Sequence, residues 1–157
     1  MRPRMTPYTV ALVATFAAFA PGAIGAQTDT ANAPKSAQEL ATRYASAHGR
    51  QDTLAIQRLV YWGRAPQSLR ASFNSRLAEE VSRPIRSATI TPLAPNESMN
   101  VTVRGVSYRP TLTPVAHLDI TFVPGKNPSG SESSESSVYV VGAHSGRYYI
   151  VTRELVR

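Results

Sequence analysis

A chain of 157 residues without a cysteine has no disulfide framework, no thiol nucleophile and no cysteine to carry a lipid. Its formal charge of +7 comes almost wholly from arginine. These arginines are spread out, neither blocked together nor interleaved with aromatics, which excludes the usual basic strand of a single-stranded nucleic-acid binder.

The first 26 residues have the layout of a secretory signal peptide. Arg2 and Arg4 precede an uncharged apolar run at 10–20, Pro21 and Gly22 break it, and the small residues Ala23, Gly25 and Ala26 follow. The run is about half the roughly 20 residues that a membrane span needs, so no stable membrane insertion is expected after cleavage. The expected location is exported, either periplasmic or secreted. Residues 27–35 are small and polar and read as a flexible lead-in.

A single domain is expected over 36–157. Ser36 and Glu39 have capping-box spacing, and Leu40, Ala41, Tyr44 and Ala47 follow at helical period, with Gly49 as a left-handed stop. Asp52 caps a second helix through Leu54, Ile56, Leu59 and Val60, ended by Gly63. A third is expected from Pro66 to about Ser82, its apolar stripe formed by Leu69, Phe73, Leu77 and Val81.

After Pro84 the period changes to two. Residues 86–90 and 101–106 read as strands, and 115–123 most clearly so: Ala116, Leu118, Ile120 and Phe122 make one face, His117, Asp119 and Thr121 the other. Residues 125–137 are rich in serine and glutamate and read as a disordered, solvated loop. Two last strands at 138–142 and 147–156 flank a turn with Gly146 at its end. Helices followed by strands make the class α+β, with N-terminal helices packed on a curved, mostly antiparallel sheet.

Three features together resemble the nuclear-transport-factor-2-like superfamily, the cystatin-related α+β cone. Tyr44 and Ala45 followed by Gly49, Asp52, Leu54 and Leu59 are similar to the turn between its first two helices. Helices precede a curved sheet. Residues 145–151 (SGRYYIV) are like its closing hairpin. The resemblance covers about 36–157, and the prolines of the middle region depart from it. It implies a pocket between the sheet and the helices, used across the superfamily by isomerases, dehydratases, ligand carriers and association surfaces.

His117 and Asp119 are the sharpest catalytic candidates, because alternate residues of one strand share a face about 7 Å apart. His48, beside a helix C-terminus, has a position that favours an imidazolium; His144 lies in a turn. The three histidines have no metal-ligand spacing, and neither a nucleophile motif nor a phosphate loop occurs. No metal or cofactor is expected.

The leading expectation is a non-enzymatic binding module for a small molecule or envelope component, with Tyr44, Tyr61, Trp62 and Phe73 lining the helix side of its pocket. One alternative is an isomerase, dehydratase or hydrolase using His117 and Asp119. Another is an association module that forms a homodimer through its sheet.

Overall fold

The computed structural model describes residues 32–126, 132–133 and 135–156. The expected signal peptide and residues 27–31 of the lead-in lie outside them. Packing begins ahead of Ser36: Ala33 and Pro34 are buried, and the Pro34 carbonyl accepts from Tyr148 N–H at 2.9 Å.

Three helices come first: α1 (Ala37–Gly49), α2 (Thr53–Arg58) and α3 (Gln67–Glu80). The Ser36 hydroxyl caps α1 by accepting from Glu39 N–H at 3.0 Å, while the Glu39 carboxylate accepts from Lys35 N–H at 2.7 Å. The left-handed residue after α1 is Gln51 (φ 54) instead of Gly49, which closes the helix in ordinary conformation. Asp52 caps α2 through Ala55 N–H. The second helix is shorter than its pattern suggests, because Val60 and Tyr61 leave it to form strand β1 (Val60–Tyr61). Pro66 stands at the cap of α3, one position earlier than expected.

The remaining strands are β2 (Ile85–Pro92), β3 (Val101–Val103), β4 (Val106–Pro110), β5 (Pro114–Phe122), β6 (Gly125–Lys126), β7 (Glu132–Ser133), β8 (Ser136–His144), β9 (Arg147–Val151) and β10 (Arg153–Leu155). Arg104 and Gly105 form the turn from β3 to β4, both at positive φ, where one strand was expected. Within the serine-rich segment, β6 pairs with β7 and Ser136 and Ser137 belong to β8; residues 127–131 and 134 lie outside the described residues.

The main sheet has the order β1-β9-β8-β5-β2. Only β1 runs parallel to its neighbour, through Val60↔Ile150 and Tyr61↔Val151; the other pairs are antiparallel. A smaller sheet, β10-β4-β3, continues from the ends of β9 and β5. The architecture is α+β.

The alternation of β5 decides which face the helices cover. Ala116, Leu118, Ile120 and Phe122 are buried and join Leu40, Tyr44, Ile56 and Leu77 of the helices in one core. Burial of each such large side chain contributes about 1.5–3 kcal/mol. His117, Asp119 and Thr121 therefore point from the opposite face of the sheet.

Candidate functional site

The last strand expected from the sequence, 147–156, is broken at Thr152. Its hydroxyl donates to the Tyr61 carbonyl at 2.9 Å, and its own carbonyl accepts from Thr111 N–H at 3.0 Å. These bonds turn the chain out of β9 and into β10, which pairs with β4 (Arg153↔Pro110 to Leu155↔Tyr108). The pairing of β8 with β9 ends at Val141↔Ile150, whereas its pairing with β5 continues to Thr121↔Ser136. Residues 136–140 of β8 consequently have a strand on one side only.

A cleft of about 390 Å³ lies along that open edge. Val138, Tyr139 and Val140 of β8 line it, with Leu69, Ser72, Phe73 and Arg76 from α3. Pro110, Val151 and Arg153 close it from the strand ends, and Met99 from the β2–β3 connection. Its lining is mainly apolar, and its charged side chains are both arginines. Such a surface suits a ligand with an apolar body and an anionic group.

Glu80, at the end of α3, fixes the helix to β8. This carboxylate is buried and accepts from the Ser137 hydroxyl at 2.7 Å and the Tyr139 hydroxyl at 2.5 Å. Arg76 Nε is 3.4 Å from Glu80, and its guanidinium lies 5.1 Å from the centre of the Tyr139 ring and 6.0 Å from that of Phe73. Burial raises the Tyr139 hydroxyl far above its ordinary pKa, and the neighbouring Tyr44 and Glu80 add to the effect. Burial likewise pushes Tyr44 up to about 12. Both phenols are thus held neutral. Arg153 has no carboxylate partner among the described residues.

The structure separates the residues singled out from sequence. Phe73 lines the cleft. Tyr44 is fully buried in the core beneath Tyr139, with ring centres 5.7 Å apart. Trp62 is buried edge-on against Phe73 at 5.4 Å and supports the cleft wall from behind. Tyr61 packs on Tyr149 and His144.

His117 and Asp119 line neither this cleft nor a second one described below. Their side chains are engaged separately: His117 Nε2 meets both oxygens of Glu97 at 3.1 Å, and Asp119 accepts from the Thr91 hydroxyl at 2.5 Å. The His117 hydrogen bond, then the Ala94 N–H, holds the Glu97 carboxyl below its ordinary range. His48 lies in the last turn of α1, as expected, but it is buried, and burial lowers its pKa; this disfavours the imidazolium that its helix-end position suggested.

The second cleft, of about 320 Å³, lies between α1 and α2 and includes Arg43, Arg50 and Arg58. Two of these are engaged locally. Arg43 pairs with Glu39 and donates to the Asn32 carbonyl, and Arg50 donates to the Ser46 hydroxyl at 2.7 Å.

Sequence reasoning passed over Arg76, Glu80, Met99 and Arg153. A signal existed for the first two: Arg76 and Glu80 are four residues apart on α3, and Glu80 directly precedes the apolar Val81. Among the described residues no three His, Cys, Asp or Glu side chains cluster to hold a metal ion. No helix among them is long and apolar enough to cross a membrane. No family model, curated protein or solved structure matches the chain.

Proposed function

We propose that the chain is an exported, non-enzymatic binding module that holds an apolar ligand with an anionic group in the cleft between α3 and β8. The observation that carries this reading is the cleft itself: an apolar lining of Phe73, Val138 and Val140 with Arg76 and Arg153 as its charged groups. The anchoring of Glu80 to Tyr139 and Ser137 supports it, because this holds the two walls at a set separation before a ligand arrives. A nuclear-transport-factor-2-like ancestry is part of the proposal. It is supported by the order of helices before sheet and by a cleft between a helix and the sheet, the place of the pocket in that superfamily.

The anionic preference follows from charge. Arg153 has no carboxylate to neutralise it among the described residues, and Arg76 shares Glu80 with two hydroxyls. An incoming carboxylate or sulfonate gains charge-assisted hydrogen bonds from guanidinium groups that a neutral ligand does not.

Native mass spectrometry of the mature protein, recovered gently from the exported fraction of its own cells, tests the reading. A reproducible added mass that disappears in Arg153→Glu is expected. A bare chain in both proteins contradicts ligand carriage, and recovery only from the cell interior contradicts export.

A further inference from the structure

The open edge of β8 identifies the form of ligand more narrowly than the cleft's composition does. The turn Ser145–Gly146 joins His144 and Arg147, which face each other in register. In a two-residue hairpin those flanking residues exchange backbone hydrogen bonds. Alternation from His144 then turns the N–H and C=O groups of Gly142, Val140 and Val138 toward the β9 side, and those of Tyr139 and Ser137 toward β5. The same parity holds in β9, where Tyr148 and Ile150 direct their N–H groups away from β8, to the carbonyls of Pro34 and Leu59. With β9 ending at Val151, Val138 presents both backbone groups to the cleft, and Val140 its N–H.

Exposed strand edges are normally blocked by proline, lysine or a bulge. The outer edge of β2 is guarded in this way, with a register irregularity between Ile85 and Ser87 and proline at Pro92. Residues 136–140 (SSVYV) carry none of these devices. Their length, about 17 Å at 3.4 Å per residue, accommodates a short added strand.

We propose that the ligand is an extended acidic peptide, which adds to β8 as an antiparallel strand within the cleft. This rests on the binding-module reading above. The backbone of Val138 and Val140 supplies the ladder, α3 and the β10 end supply the side-chain pockets, and Arg76 and Arg153 select acidic side chains. The charge also argues against a second copy of the chain as the occupant. Symmetric pairing of two β8 edges would bring two sets of Arg76 and Arg153 together, a like-charge juxtaposition.

Fluorescence anisotropy with the full mature chain tests this, using a labelled peptide of about eight residues that alternates valine with glutamate. Two further versions carry N-methyl groups on alternate residues, one on the odd and one on the even positions. Strand addition expects one methylated version to bind at least about tenfold more weakly and the other within about threefold of the parent, because only one set of N–H groups faces the edge. A lysine-for-glutamate version is expected to bind weakly to the chain and to gain on Arg153→Glu. Equal binding of both methylated versions, equal binding of the lysine version, or a dimer joined through β8 in place of peptide binding overturns the proposal. The apolar sulfonate 1-anilinonaphthalene-8-sulfonate separates the two readings. Dye binding that is lost in Arg153→Glu, without peptide binding, removes the peptide and keeps the cleft; absence of both removes both.

Discussion

The Tyr139 hydroxyl donates to Glu80 Oε2 at 2.5 Å, joining the end of α3 to the open edge of β8 across 59 residues of chain. With the Ser137 hydroxyl, which donates to the other Glu80 oxygen at 2.7 Å, this bond ties the wall carrying Phe73 and Arg76 to β8. Glu80→Ala leaves the buried Tyr139 hydroxyl and the part-buried Ser137 hydroxyl without their acceptor and is expected to cost about 2–4 kcal/mol in urea unfolding. Tyr139→Phe removes the donor as well, and the double mutant is expected to cost less than the sum of the two single changes. Strict additivity would show that the bond does not couple helix to strand.

Gly142 lies in β8 against Val151, the last residue of β9, and against Leu112 and Thr113. A Cβ there would stand 2.6 Å from Val151 Cγ2, 2.9 Å from Leu112 Cβ and 3.1 Å from the Thr113 carbonyl. Gly142→Ala is therefore expected to destabilise by about 1–3 kcal/mol through overpacking. Thermal unfolding measures it, and an unchanged midpoint would mean that the strands separate freely at this point.

The β8–β9 turn has Ser145 at φ 50 and Gly146 at φ 72, the two positive values of a type I′ hairpin. Serine tolerates that conformation less well than asparagine. Ser145→Asn is expected to stabilise by about 0.5 kcal/mol, read as a small rise in the unfolding midpoint. A fall would contradict the turn assignment.

Burial lowers the pKa of His48, partly offset by its hydrogen bond to the Glu80 carbonyl (3.2 Å) and by the Glu80 charge. Its other close ring neighbours, Tyr44 and Phe122, offer no anion to an imidazolium at neutral pH. Above the ordinary histidine value of about 6.5 both folded and unfolded chains are neutral at this site, and its packing contributes in full. As the pH falls below that value the unfolded chain takes up the proton first, so stability is lost toward the lowered folded pKa. His48→Gln, which retains an N–H for the carbonyl, is expected to reduce the slope of stability below about pH 6.5. An unchanged slope would place the titration elsewhere.

Much of the fold was legible where one local signal decided it. Ser36 and Asp52 cap helices because their side-chain oxygens reach N–H groups three residues on. The alternation of β5 matches its burial residue by residue because one face packs on helices throughout. The site was less legible because long-range hydrogen bonds create it. Residues 147–156 read as one strand, and only the partners that Thr152 finds in Tyr61 and Thr111 break it. The same applies to Val60 and Tyr61, whose apolar character suits a helix end as well as the parallel strand that β9 makes of them. Among the aromatics, spacing could not tell Phe73 on the cleft from Tyr44 in the core, since both occupy apolar stripes of helices.

The most direct measurement is an amide proton–nitrogen NMR titration of the mature chain with 1-anilinonaphthalene-8-sulfonate. Saturable shifts concentrated at Val138, Val140, Arg76 and Arg153 are expected. Shifts centred on His117 and Asp119, or on Arg43, Arg50 and Arg58, would contradict the assignment of the cleft between α3 and β8 as the binding site.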